Sequence, residues 1–317
     1  MLGDNNLKIC FVGVGSIAKR HIRNLQEVCI KRELDVTIDA LRRKNSKTDC
    51  LEDIKLDCIY YDYHSMPDDY DIIFITNPTD LHIETLNAIH EKGKHFFIEK
   101  PIISLDKINE AENFKWREGT VYYVACPLRY TSVIQYIKNS LDFDNVYSIR
   151  CISSSYLPDW RPGTDYRDCY SAHRDMGGGV SIDLIHEWDY ITYLLGFPKK
   201  VLSSIGKKSN LEIDSDDYAA YIAEYSNLVA ELHLDYFGRK TIREISFYGR
   251  DDTIVADLIG GTIQYCISGK TINLQEDRDD YCKRELEHFL DIVEGKVEND
   301  NAPQRACEVL KLTQGIV

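Results

Sequence analysis

Residues 7–14, Leu-Lys-Ile-Cys-Phe-Val-Gly-Val, form an apolar run ending at glycine, and the chain continues directly into a segment of helical spacing. A strand, a glycine turn and a helix in immediate succession restrict the chain to few folds. In Gly13-Val14-Gly15-Ser16-Ile17-Ala18, Gly13 permits the tight turn and Gly15 allows backbone to approach a pyrophosphate. Ala18 lets the helix pack closely on the strand, while the N–H groups of Ser16, Ile17 and Ala18 open the helix as phosphate donors. In this context, G-x-G-x-x-A predicts the first unit of a doubly wound, dinucleotide-binding sheet.

The rest of the chain extends that prediction. Ile17, Ile22, Leu25 and Val28 share a helical face up to about Arg32, and strands are expected at 35–41, 71–76, 95–98 and 121–125, with a helix over 81–91. Such alternation implies a parallel sheet with right-handed crossovers. Beyond residue 125 the rhythm changes. A helix (131–139) and a strand (146–153) precede an irregular aromatic stretch (156–176) and a strong helix (179–195). Alternating runs at 218–225, 228–237, 241–249 and 252–258 read as antiparallel strands, with turns at Gly249 and Gly260-Gly261, and a helix over 281–294 closes the chain. The fold class is therefore α/β: a Rossmann domain over 1–124, then an α+β domain with a large, mostly antiparallel sheet over 125–317. A length of 317 residues suits two domains.

Charge and composition narrow the function. With 38 basic against 52 acidic residues the net charge is −14, which argues against nucleic-acid or anionic-membrane partners, since phosphate surfaces require a basic face. No apolar run approaches the roughly 20 residues of a membrane span, and the N-terminal residues lack a secretory pattern. A cytoplasmic location is expected. The ten cysteines, at 10, 29, 50, 58, 126, 151, 169, 266, 282 and 307, show no C-x-x-C pair and no zinc-type spacing, and read as reduced structural residues. No metal is expected.

Cofactor choice turns on the end of the second strand, where an acid would bond the ribose hydroxyls of NAD. The strand ends Ala40-Leu41-Arg42-Arg43-Lys44, and Asp39 lies two residues too early. Arg42 and Arg43 suit a 2′-phosphate, which favours NADP over NAD; the alternative is that they open a solvated loop.

Three further stretches complete a pattern: Asn77-Pro78-Thr79-Asp80-Leu81-His82 after the third apolar strand, Glu99-Lys100-Pro101 after the next, and Gly177-Gly178-Gly179 through Asp189 at the strong helix. Together with Gly13-x-Gly15 and His21, these resemble the glucose–fructose oxidoreductase / inositol 2-dehydrogenase (Gfo/Idh/MocA) family over nearly the whole chain. The resemblance implies an oxidoreductase that binds NAD or NADP and transfers hydride to or from a hydroxyl carbon of a sugar, sugar nucleotide or polyol, surface-carbohydrate biosynthesis being one setting. It assigns Thr76, Asn77, Pro78, His82, Glu99 and Lys100 to the cofactor site. Lys100 matches the family's catalytic lysine and His186 its helix histidine. Many members carry an acid four residues before that histidine; here Asp183 stands three before. An i,i+3 pair on one helix would still share a face.

Alcohol oxidation needs a base for the hydroxyl proton, and a histidine titrating near pH 6.5 suits that task. His186 is accordingly the expected acid/base, Lys100 the electrophilic partner and Asp183 a substrate-positioning group. His186-Glu187 is no zinc motif, because position 190 is Tyr190. The loop from Leu157 to His173 offers Trp160, Arg161, Tyr166, Arg167 and Tyr170 as substrate contacts, with Arg129 a further candidate. Aromatic faces cover sugars, and arginines reach hydroxyls or pair a carboxylate or phosphate. The competing reading is a loop that supports an oligomer interface. A homodimer or homotetramer through the C-terminal sheet is expected. Two other functions remain open: an enzyme that retains its nicotinamide through transient oxidation, and a cofactor-binding regulator without turnover.

Overall fold

In the computed structural model, which describes residues 6–44 and 54–317, the first apolar run is strand β1 (Asn6–Val12) near the middle of a six-stranded sheet. After it come α1 (Ser16–Lys31), β2 (Asp35–Leu41), β3 (Ile59–Tyr60), β4 (Tyr70–Ile75), α2 (His82–Ile89), β5 (Gly93–Ile98), α3 (Ile108–Glu112) and β6 (Tyr122–Val124). Strand order is β3-β2-β1-β4-β5-β6, and every neighbouring pair is parallel. The order reverses between β1 and β4, which opens a crevice at their carboxyl ends. Ile9–Val12 and Ile72–Ile75 are buried without alternation, as strands covered on both faces require. Phe11, Phe74 and Phe97 share one register across β1, β4 and β5, and their rings stack at 4.4 and 4.9 Å.

The second sheet belongs to a different unit. Its elements are α4 (Ser132–Ser140), β7 (Val146–Tyr156), α5 (Val180–Asp183), α6 (Ile185–Leu195), β8 (Lys200–Gly206), β9 (Tyr218–Glu224), β10 (Val229–Asp235), β11 (Phe237–Gly249), β12 (Thr253–Asp257), β13 (Thr262–Tyr265) and β14 (Thr271–Asn273). The order is β14-β13-β12-β11-β7-β10-β9-β8, antiparallel except for the central β7–β10 pair. Alternation is regular on the inner face: Ala219, Tyr221 and Ala223 face Ala230, Leu232 and Leu234, all buried. Strands β8, β13 and β14 are absent from the sequence reading. Most of β8 is exposed, so its sequence carries no apolar alternation.

Where one helix over 179–195 is expected, the chain forms two. Leu184, with φ −94° and ψ 32°, separates the single turn of α5 from α6. Neither proline nor glycine marks this break. It accompanies tertiary bonds on both sides: Asp216 receives the Ser181 N–H at 2.9 Å, and Asp183 receives the Tyr236 hydroxyl at 2.5 Å. Asp183 and His186 therefore lie on different helices, and the shared-face argument for them fails.

The closing helix α7 (Arg278–Val293) also departs from the sequence reading. The chain divides into Met1–Ala125 with Arg278–Cys307, and Cys126–Asp277 with Glu308–Val317, so the second domain is not the contiguous block 125–317. Phe289 of α7 meets Phe74 and Phe97 edge-on at 6.1 and 5.2 Å, completing the aromatic core of the parallel sheet. Charged pairs, including Arg32–Asp291 at 3.0 Å and Lys31–Glu287 at 2.6 Å, fasten α7 to α1. Asn301 exchanges backbone and side-chain bonds with Val124, covering the edge strand β6. A final helix, α8 (Pro303–Leu312), has no counterpart in the sequence reading. No helix among the described residues is long and apolar enough to cross a membrane. No two of the nine described cysteines are joined in a disulfide, and seven of them are buried; Cys50 lies outside the described residues.

Candidate functional site

The crevice of the parallel sheet is built from three strand ends. Gly13 has φ +83°, and a Cβ there would lie 2.8 Å from the Asn77 Cα, so glycine alone lets the β1 turn press against the segment after β4. Gly13 donates its N–H to the Leu41 carbonyl at 2.9 Å. The Thr76 hydroxyl donates to the Gly13 carbonyl at 2.7 Å, so that side chain holds the turn. Gly15 is different: nothing lies within 4 Å of a Cβ placed on it. It precedes a 16-residue helix that has no acidic residue in its first turn and no side-chain cap. The first N–H groups of α1, from Ser16, Ile17 and Ala18, are thus left to a ligand, with the positive end of the helix dipole behind them. Ala18 is fully buried against the sheet. Asn77 leaves its Oδ1 buried without a partner while its amide donates to Thr85 at 2.8 Å. Pro78 caps the short turn Thr79–Leu81. An open glycine, an uncapped helix start and an orphaned amide oxygen fit a dinucleotide.

Lys100 lies half-buried in the turn after β5, following Glu99 and preceding Pro101 across a cis peptide bond. Two buried imidazoles brace this turn. His21 of α1 places Nε2 2.5 Å from the Glu99 carboxylate. Burial alone would raise the Glu99 carboxyl, but the hydrogen bond from His21 and the positive charges of His21 and Lys100 outweigh it and hold the group below the usual carboxylate range. His82 sets Nδ1 and Nε2 each 3.0 Å from a carbonyl, of Ile102 and Asn77 respectively. Its ring is 1% exposed, and burial holds it below the ordinary histidine pKa despite those two acceptors. The resemblance assigns His82 and Glu99 to the cofactor site; in the structure the His82 side chain ties the segment after β4 to the turn after β5, and Glu99 ties that turn to α1.

At the end of β2, Asp39 accepts from the Tyr70 hydroxyl at 2.8 Å and from the Cys58 N–H at 3.0 Å, committing both of its oxygens to the fold. The two arginines part company: Arg42 is buried and Arg43 exposed.

In the second unit Asp183 is the centre. It accepts the Tyr236 hydroxyl at 2.5 Å, and its charge bears on Tyr170. Burial and the Asp183 charge push both phenols up, so the tyrosines remain donors. Trp160 meets Tyr236 edge-on at 5.1 Å and donates its indole N–H to Ser155 at 2.9 Å. The Arg161 guanidinium lies 5.1 Å from the Tyr170 ring centre. His186 is half-buried in the first turn of α6. Gly178 and Gly179 pack tightly beside this loop: a Cβ on the first would collide with the Tyr170 carbonyl, and one on the second with the Asp216 carboxylate.

Three expected substrate residues stand elsewhere. Arg129 is fully buried and grips Asp189 with two bonds, one of 2.8 and one of 2.5 Å; packing, not a ligand, claims it. Arg167 pairs with Asp165 and Glu212 on the surface, and the Tyr166 hydroxyl accepts the Glu212 N–H at 3.1 Å. These two stitch the aromatic loop to the segment before β9. His173, Asp175 and Asp214 gather within 4.8 Å of one another there, with His173 Nε2 donating to the Arg167 carbonyl at 2.6 Å. The residues that sequence reasoning missed are Tyr236 and Asp216. Tyr236 lies 53 positions from Asp183, and no local pattern announces it. Asp216 stands in Ser-Asp-Asp, a signal that also fits any polar turn.

Two family profiles match the chain. An oxidoreductase family described by its NAD-binding Rossmann fold matches residues 7–125, and the C-terminal α/β domain of the same Gfo/Idh/MocA family matches 160–314. Among curated relatives, the chain is 27% identical over 190 residues to an uncharacterized oxidoreductase, YrbE, of Bacillus subtilis, covering 58% of this chain and 52% of that one, so the match spans about half the relative's length. It is 22% identical to the scyllo-inositol 2-dehydrogenase (NAD(+)) of the same organism, covering 92% and 87%. The fold is that of levoglucosan dehydrogenase solved with NADH: TM-score 0.82 at 17% identity, over 98% of this chain and 96% of that one.

Proposed function

This chain belongs to the Gfo/Idh/MocA family of NAD-binding oxidoreductases, and on that premise we propose that it transfers hydride between a nicotinamide cofactor and a hydroxyl carbon of a sugar-like polyol. The observation that carries the reading is the β1 turn, where Gly13 is pressed on Asn77 while Gly15 and the uncapped α1 N-terminus face open space. Ser16, Ile17 and Ala18 would hold the pyrophosphate, with Asn77 beside it. When bound, the nicotinamide supplies a two-electron redox partner for the alcohol carbon. His186 takes the role of acid/base for the hydroxyl proton, and Lys100 that of electrophilic partner. Relatives named for inositol and levoglucosan support a polyol or sugar substrate.

NADP is the favoured cofactor. Both oxygens of Asp39 are spent, and no other acid follows it on β2, whereas Arg43 is exposed at the strand end. Calorimetric titration of the cofactor-stripped protein with NADPH and NADH tests both levels. Tighter NADPH binding is the expected result; an NADH preference would return Arg43 to the solvated loop, and binding of neither would sink the oxidoreductase reading.

The same reading places the protein in the cytoplasm as a homo-oligomer. The outer face of the second sheet exposes Leu202, Ile222 and Tyr248 and holds a groove of about 730 Å³ beside the Arg150–Glu231 pair, a surface fit for a second copy. Sedimentation equilibrium should give a dimer or tetramer, and a monomer at micromolar concentration would refute it.

A further inference from the structure

Several of the less exposed guanidinium groups of this chain hold a carboxylate. Arg20, Arg32, Arg117, Arg129 and Arg243 all have mostly buried side chains, and each reaches a carboxylate at 3.5 Å or less. Arg161, also half-buried, has no ion pair within 4.0 Å among the described residues. Its surroundings explain why the charge stays available. The acid whose charge bears on it, Asp183, accepts the Tyr236 hydroxyl at 2.5 Å, and Cys169 is a further polar neighbour of the guanidinium. The guanidinium carbon lies over the Tyr170 ring, 5.1 Å from its centre, and Tyr170 is 41% exposed, so the group stands on a side chain that reaches solvent. A planar guanidinium lying over an aromatic ring, outside ion-pair distance of the described carboxylates and half-buried is arranged to take two oxygens of one anionic group.

We propose that Arg161 selects an anionic substrate: the polyol handled by this chain carries an oxyanion, either a carboxylate or a phosphate ester, which Arg161 receives in a bidentate contact. The inference rests on the oxidoreductase reading for the identity of the polyol, but not for the anion contact itself. Trp160, the preceding residue, packs on Tyr236 and holds the loop that carries Arg161 against the Asp183 cluster. Asp183 then anchors that loop through Tyr236.

The test uses the full chain and five probes: glucose and myo-inositol as neutral polyols, glucuronate as a carboxylate, glucose 6-phosphate as a monoester and UDP-glucose as a diphosphate. Binding is measured by calorimetry with and without NADPH, so that a failure to bind cofactor is seen separately from a failure to bind anions. At least one anionic probe should bind tenfold or more tightly than both neutral ones, and which one it is identifies the source of the oxyanion. Arg161→Gln should weaken that probe by roughly 10- to 100-fold, as expected for loss of a charge-assisted bidentate contact. Affinity for NADPH should change less than about threefold, and affinity for neutral polyols should fall by clearly less than that for the anionic probe. Arg161→Lys keeps the charge without the fork and should recover part of the loss. Equal affinity for charged and neutral probes would overturn the proposal. So would an Arg161→Gln variant, folded by its melting profile, that weakens both kinds alike or neither.

Discussion

In the first unit, the groups proposed for the cofactor come from short stretches at the ends of adjacent parallel strands: Gly13 to Ala18 after β1, Arg43 after β2, Thr76 to Pro78 after β4, and Glu99 to Pro101 after β5. The cluster in the second unit draws on the end of β7, a long loop, a one-turn helix and Tyr236 between β10 and β11. The first site works with backbone: N–H groups, a positive φ and a missing Cβ. The second works with side chains, namely a carboxylate, two phenols, an indole and a guanidinium. Backbone recognition suits a ligand whose phosphates never vary, and side-chain recognition suits one that changes between relatives of the same fold.

The sharpest way to break this contrast is to remove the proposed proton carrier. His186→Ala should lower turnover by about 10²- to 10⁴-fold, the usual worth of a general acid or base, while NADPH affinity stays unchanged. A matching loss of cofactor affinity would mean that the two sites are not separable in this way. Next in size is Arg129→Ala. It strands the Asp189 carboxylate in the interior and should cost about 3–5 kcal/mol in denaturant unfolding. Unchanged stability with a raised substrate KM would instead return Arg129 to the substrate site.

The two glycines sharpen the comparison within the first unit. Gly13→Ala forces a Cβ onto Asn77 at positive φ and should cost about 1–3 kcal/mol of stability. Gly15→Ala meets nothing in the protein, so unfolding should shift by less than about 0.5 kcal/mol. Its cost falls on the cofactor, whose Kd should rise about tenfold, equivalent to about 1.4 kcal/mol. A Gly15→Ala protein that binds NADPH normally would show that the pyrophosphate lies elsewhere. The smallest effect concerns His82. Burial lowers its folded pKa, so the unfolded chain takes up a proton first as pH falls. The contribution of the neutral ring is complete above about pH 6.5 and is lost as pH drops below that towards the folded pKa. Melting temperatures should therefore decline between pH 7 and pH 5 less steeply in His82→Gln than in the natural protein; parallel curves would remove His82 as the titrating brace.

Much of the first unit was legible because its signals are local. The strand β2 falls on residues 35–41 as expected, and Gly13 and Gly15 do different jobs that the motif distinguishes. His82 and Glu99 were recognisable as important residues but not as braces, since spacing cannot show which partner a buried side chain meets. In the second unit the aromatic loop was visible, and Trp160, Arg161 and Tyr170 do gather around Asp183. Tyr166, Arg167 and Arg129 have the same composition and stand outside the cluster.

The alternation that makes a doubly wound sheet, the glycine turn, the antiparallel runs and the family to which they belong are all written in the chain itself. These are properties of hydrophobic period and backbone permission, and a residue's near neighbours suffice to set them. Folding in three dimensions was needed to return α7 to the first unit and to split a continuous helical pattern at Leu184. It was also needed to make one arginine a core strut while another rests on a tyrosine ring. Each of those outcomes depends on which distant group fills a cavity or neutralises a charge, and chain neighbours carry no record of that.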